Sequence, residues 1–211
     1  MFLKLENIWY SYNNLKILEK INFSFENSGF YTITWPSWSW KTTLLKIIWW
    51  FYKPNNGKIF IDWKNLYDSK KEKIINFRQK IIGFSYQNLH LISELTVKDN
   101  LELKAKLTGQ KIEKKWEKYL LEYFEINKLF EKKVSEISWW QALRVSLVKS
   151  VLLKPKILLL DEPESWLDSK LIKKLIKFEK EYAKNNLVII SSHFLNKINN
   201  KQLEIKKYEK S

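Results

Sequence analysis

Trp35-Pro36-Ser37-Trp38-Ser39-Trp40-Lys41-Thr42-Thr43 has the spacing of a phosphate-binding loop, with tryptophan at the three positions where such a loop has glycine. A loop of this kind turns backbone N–H groups inward around a phosphate. That takes unusual φ/ψ values and close approach of the backbone, and both favour glycine. The start of the following helix adds positive potential. In such a loop Lys41 reaches the β- and γ-phosphates and the Thr42 hydroxyl ligates Mg²⁺. Three literal indoles would stand where the phosphates belong.

The flanking sequence supplies the context the loop requires. Phe30 to Thr34 is a short β-rich run leading straight into it, and Thr42 to Trp50 has a helical pattern. Upstream, residues 2–9 and 21–26 alternate apolar and polar, as half-buried strands do, with a turn at Asn13-Asn14. Downstream, Pro54-Asn55-Asn56-Gly57 is a turn, followed by predicted strands over Lys58 to Asp62 and Ile81 to Tyr86. From about Val97 to Phe130 the pattern is helical and charged, which predicts a separate helical lobe, placed at about residues 88–138 of a single domain spanning 1–211. A helix is expected from Ser138 to about Leu153, broken by Pro155. Then come strand Ile157 to Leu160, helix Lys170 to Lys184, strand Leu187 to Ser191 and a short strand near Leu203 to Lys207. This alternation predicts an α/β fold with a mostly parallel sheet covered on both faces.

The apolar strand Ile157 to Leu160 ends in two carboxylates. Asp161 at its tip is placed to hold the shell of a Mg²⁺ ion, and Glu162 to orient or deprotonate an attacking water. An apolar run ending in Asp-Glu says little alone. It gains weight about 120 residues after a phosphate loop.

Bulk composition narrows the setting. With 211 residues the chain can bury a sizeable core, and no run approaches the length of a membrane span. The first residues lack the layout of a signal peptide, and there is no cysteine, which fits a reducing cytoplasm and excludes disulfides and cysteine-based zinc sites. The net charge of +15 comes from lysines spread along the chain without a concentrated basic arm, so no nucleic-acid partner is expected.

Taken in order, these motifs resemble the nucleotide-binding subunit of an ATP-binding-cassette (ABC) transporter over essentially the whole chain. The resemblance implies a P-loop NTPase fold: a RecA-like core with a mostly parallel sheet, an N-terminal antiparallel β part and an inserted helical lobe. It implies ATP and Mg²⁺ as ligands, with Thr42, Gln87 and Asp161 at the metal. Tyr12, 23 residues before Trp35, matches the aromatic that stacks on adenine. Gln87 matches the glutamine that senses the γ-phosphate and contacts the membrane partner. Ser138-Trp139-Trp140-Gln141 matches the signature that caps the γ-phosphate of a second subunit. Asp161 and Glu162 match the metal-binding aspartate and the catalytic glutamate, Asp168 the D-loop aspartate, counted with the nucleotide-binding residues, and His193 the histidine that contacts the γ-phosphate. The implied assembly is a head-to-tail homodimer bound to an integral membrane permease, peripheral on the inner face of the cell membrane. The stretches Phe77 to Ile92 and Leu95 to Asn100 are similar to the group that serves extracellular-loop permeases of the lipoprotein-release, macrolide-export and cell-division type.

Within that resemblance, nine of the eleven tryptophans fall at glycine positions. They are Trp35, Trp38, Trp40, Trp139, Trp140 and Trp166 in three motifs, and Trp49, Trp50 and Trp63 in turn-like positions, whereas Trp9 and Trp116 have no clear glycine counterpart. The chain has 4 Gly and 11 Trp. Together they reach about 7% of the residues, the ordinary share of glycine alone. A genetic code in which UGA specifies glycine, translated with a table in which it specifies tryptophan, produces this pattern. The alternative is a degenerate homologue with real tryptophans, acting as a catalytically impaired binding or scaffold protein. Codons decide between them. A soluble ABC ATPase is the other alternative; such proteins usually carry tandem cassettes, a coiled-coil insertion or zinc cysteines, none of which is present here.

Overall fold

The computed structural model describes residues 3–13, 15–34, 38–65, 68, 71–86, 89–163, 169–192 and 202–204. Strands β1 (Leu3–Tyr12), β2 (Leu15–Phe25), β4 (Asn56–Ile61) and β5 (Lys64–Asn65) form an antiparallel sheet in the order β2-β1-β4-β5. Strands β3 (Gly29–Thr34), β6 (Ile82–Ser85), β7 (Ile157–Asp161), β8 (Leu187–Ser191) and β9 (Gln202–Glu204) form a parallel sheet in the order β6-β7-β8-β3-β9. This is the α/β P-loop NTPase fold that the motifs predict. Strands β7 and β8 are buried along their whole length, which is why they read as unbroken apolar runs rather than alternating ones.

Helix α1 (Trp38–Ile48) follows β3 across the phosphate-loop segment and packs on one face of the parallel sheet. Leu44, Leu45, Ile47 and Ile48 of α1 are fully buried there, together with Ile33 and Ile189. The other face carries α5 (Trp139–Val151) and α6 (Ser169–Ala183), which bury Val145, Val148, Leu175 and Phe178 against Leu158, Leu160, Val188 and Ile190. Helices α3 (Val97–Thr108) and α4 (Lys114–Tyr123) join this second cluster through Val97, Leu101 and Leu120. Thr96 caps α3, accepting a 3.0 Å hydrogen bond from the Asp99 N–H, and Gly109 ends it at φ 64°.

Several boundaries differ from expectation. Strand β2 starts at Leu15 rather than residue 21, because the hairpin from β1 keeps pairing up to Tyr12–Leu15. Helix α2 (Lys71–Ile81) is absent from the sequence expectation. Its segment is rich in lysine, with Ile74 and Phe77 only half-buried against the first core cluster, so its apolar stripe is thin. The helical stretch from Val97 to Phe130 is two α-helices, separated at Gly109, and a 3-10 turn at Asn127–Leu129.

Gly83 in β6 lies against the end of α5. A Cβ there would collide with the Ser150 carbonyl and come within 2.7 Å of Pro155 Cγ. Gly83→Ala is therefore expected to destabilise the fold by about 1–3 kcal/mol through overpacking. A lowered urea midpoint at unchanged slope is the measurement.

Candidate functional site

The C-terminal ends of β3, β7 and β8 lie side by side, the edge where open parallel sheets place their ligands. Register puts Asp161 opposite Ser191. The Ser191 hydroxyl donates to Asp161 Oδ1 at 2.6 Å, and the Thr42 hydroxyl reaches Asp161 Oδ2 at 2.8 Å and Oδ1 at 3.1 Å. Burial raises the Asp161 carboxyl above its ordinary range, and the Ser191 and Thr42 hydrogen bonds oppose that rise.

Lys41 is fully buried, and its Nζ lies 3.2 Å from Glu162 Oε1, with Glu162 3% exposed. The Glu162 backbone N–H donates to the Ser191 hydroxyl at 2.9 Å and to the Ser191 carbonyl at 3.1 Å. Glu162 takes φ 49°, a left-handed value that turns the chain sharply off the end of β7. Four predicted residues far apart in sequence, Lys41, Thr42, Asp161 and Glu162, thus converge with Ser191. Their oxygen and cationic groups suit a polyphosphate with a hard divalent cation: the Thr42 hydroxyl and the Asp161 carboxylate are adjacent oxygen donors of the kind Mg²⁺ takes. Sequence reasoning did not single out Ser191. Its signal was a hydroxyl at the tip of an apolar strand, in register with an acidic strand tip.

Thr43 is buried next to this cluster, and Trp40 is half-buried against the first core cluster. Trp38 and Ser39 open α1. Trp35, Pro36, Ser37, Gln87, Asp168 and His193 lie outside the described residues. Tyr12 is exposed at the end of β1.

Ser138 caps α5 in a reciprocal box. The Gln141 N–H donates to Ser138 Oγ at 3.3 Å, and Gln141 Oε1 accepts from the Ser138 N–H at 2.9 Å. Trp139 and Trp140, in the first turn of α5, are 49% and 52% exposed. The first turn of α5 therefore faces outward, where its N–H groups are open to a ligand on another surface.

Between α1, β6, α3 and α5 lies a cavity of about 590 Å³, lined by Trp49, Phe84, Tyr86, His90, Lys104 and Lys149 among others. It is apolar with cations at its walls. Burial and the neighbouring Lys149 charge push the Lys104 ammonium down to about 8, and burial with the Lys149 and Lys46 charges lowers His90. Among the described residues no helix is long and apolar enough to cross a membrane.

Fold and site together have the architecture of the P-loop NTPase class. The family model described as ABC transporter matches residues 18–165, and the chain belongs to that family. It is 35% identical over 162 residues to the ABC transporter ATP-binding protein YxdL of Bacillus subtilis, covering 76% of this chain and 63% of that protein. It is 28% identical over 185 residues to the lipoprotein-releasing system ATP-binding protein LolD of Leptospira interrogans, covering 86% and 78%. Among solved structures, it is similar to the ATP-binding cassette MJ0796 in a dimeric post-hydrolysis state bound to ADP and phosphate, with a TM-score of 0.84, 27% identity, and 92% and 89% of the two chains covered. The matched region is less than two thirds of YxdL's own length.

Proposed function

We propose that the chain is the ATP-binding and ATP-hydrolysing subunit of an ABC transporter, working as a head-to-tail homodimer on a membrane permease. The observation that carries this is the convergence of Lys41, Thr42, Asp161 and Glu162 at the C-terminal edge of the parallel sheet. The dimeric MJ0796 cassette supports the pairing, and the extracellular-loop type of permease rests on the resemblance carried by Phe77 to Ile92 and Leu95 to Asn100.

In this proposal Lys41 leaves Glu162 to bind the β- and γ-phosphates. Thr42 and Asp161 would hold Mg²⁺, joined by Gln87, and the ion when bound neutralises phosphate charge. Glu162, released from Lys41, takes the proton of a water attacking the γ-phosphate in line. His193 stabilises the charge that develops on the γ-phosphate, and Tyr12 stacks on adenine. Ser138 and the first N–H groups of α5 cap the γ-phosphate held by the partner copy, with Gln141 fixing that turn. Asp168 lines the same interface. Residues 88–138 act as the inserted lobe. The apolar, cation-edged cavity between lobe and core receives the permease, and Gln87 links it to the nucleotide. The subunit sits peripherally on the inner membrane face.

The test is affinity purification of the chain from the membranes of its own cells to capture an integral membrane partner, followed by phosphate release in the presence and absence of Mg²⁺. Mg²⁺-dependent hydrolysis that rises when the permease is present is the expected result. A chain with glycine at 35, 38, 40, 139, 140 and 166 that hydrolyses nothing, alone or with the permease, overturns it.

A further inference from the structure

The tryptophans are not equivalent in their backbones. Trp50 takes φ 57° and Trp63 takes φ 66°, whereas Trp9, Trp49 and Trp116 do not take positive φ. Positive φ also occurs at Asn7, Asn13, Asp62 and His90, residue types that tolerate it, and at unbranched Lys20, Glu125, Lys154 and Glu162. For a bulky aromatic it is an outlier.

Each of the two lies where turn chemistry selects glycine. Trp50 follows the end of α1, its N–H donating to the Ile47 carbonyl at 2.9 Å and the Phe51 N–H to the Lys46 carbonyl at 2.8 Å. That pair of bonds is the Schellman closure of a helix, and its left-handed residue is usually glycine. The Trp50 indole is 9% exposed, yet its N–H has no hydrogen-bond partner. A genuine buried tryptophan usually finds one. Trp63 is the second residue of a two-residue hairpin, with Ile61 paired to Lys64 on either side and both Asp62 and Trp63 at positive φ. This is the turn that Asp-Gly serves. The Trp63 side chain is 75% exposed, so little burial favours an indole there.

Trp116 is the opposite case. Its indole N–H donates to the Val151 carbonyl at 3.2 Å, and its ring stacks on Tyr119 and Phe178. Trp9 likewise donates to Asn7 Oδ1 at 3.0 Å. At Trp49 the backbone accepts either residue.

We infer that the natural polypeptide carries glycine at 50 and 63 and tryptophan at 9 and 116, so that one printed letter stands for two amino acids sorted by codon. The sorting rests on two turns and two indole hydrogen bonds, none of them in the nucleotide site, and does not depend on the ATPase proposal.

The experiment is peptide sequencing by mass spectrometry of the chain isolated from its own cells, set beside the gene sequence. Glycine at 50 and 63 encoded by UGA, with tryptophan at 9 and 116 encoded by UGG, is the expected result. Tryptophan at 50 or 63, or glycine at 9 or 116, overturns it. A second measurement uses the chain made with tryptophan throughout. Trp63→Gly is expected to raise its folded-to-unfolded ratio on the order of tenfold by relieving left-handed strain. Trp116→Gly is expected to lower that ratio. A fall for Trp63→Gly overturns the inference. At 50, substitution mixes relieved strain with lost burial, so there the sequenced peptide decides.

Discussion

In the chain carrying glycine at 35, 38, 40, 139, 140 and 166, replacing Glu162 by glutamine is expected to lower ATP turnover by about 10²–10⁴-fold while leaving nucleotide binding intact. Glutamine keeps the size and one oxygen of the carboxylate but cannot take a proton from water. The buried pair makes the consequence larger than the loss of a base. Lys41 is fully buried and its Nζ is 3.2 Å from Glu162 Oε1. Removing one charge of a buried pair costs up to about 3–5 kcal/mol, because the remaining charge loses its counter-ion. The variant without nucleotide is therefore expected to unfold at a lower temperature than its parent. Phosphate oxygens supply the missing negative charge, so saturating ATP is expected to shift its unfolding midpoint more than it shifts the parent's. The measurement is phosphate release alongside thermal unfolding with and without nucleotide. Turnover within tenfold of the parent would remove Glu162 from the chemistry. An equal ATP-induced shift in both proteins would remove the ion pair from the binding account.

That ion pair was not legible in the sequence. Lys41 and Glu162 were each assigned a phosphate-site role from motif spacing, and nothing in the spacing says that they meet each other at 3.2 Å. Partners so far apart along the chain are joined by tertiary register, here β3 and β7 each pairing with β8. What was legible follows burial. Strands β7 and β8 are buried on both faces and read as plain apolar runs, and the cap of α5 reads from Ser138 and Gln141 three residues apart. Helix α2 was missed because Ile74 and Phe77 contribute only half-buried apolar surface, so tertiary contact rather than local pattern sets its ends. Ser191 was missed for a related reason. A serine at a strand end is ordinary until the neighbouring strand sets an aspartate beside it, 2.6 Å from its hydroxyl.

The second large effect concerns the phosphate loop itself. The chain made with tryptophan at 35, 38 and 40 is expected to hydrolyse no measurable ATP. The chain made with glycine at 35, 38, 40, 49, 50, 63, 139, 140 and 166 is expected to turn ATP over with a KM between about 1 μM and 1 mM. The phosphate loop works through inward backbone N–H groups, and the atom that most obstructs that geometry is a Cβ. Moreover, Trp40 is half-buried against the first core cluster, directly before Lys41. An indole held there is not free to swing away from an arriving phosphate. The signature adds a second obstruction, since Trp139 and Trp140 stand half-exposed on the first turn of α5, the turn proposed to meet the partner's nucleotide. A chain with glycine at 50 and 63 alone separates the two questions. It is expected to keep the inactive site of the tryptophan chain, because neither position touches phosphate in the proposal. Activity only with glycine in the loop and signature supports the proposed site. Equal hydrolysis by the tryptophan chain would mean that this loop binds phosphate without the backbone freedom of glycine.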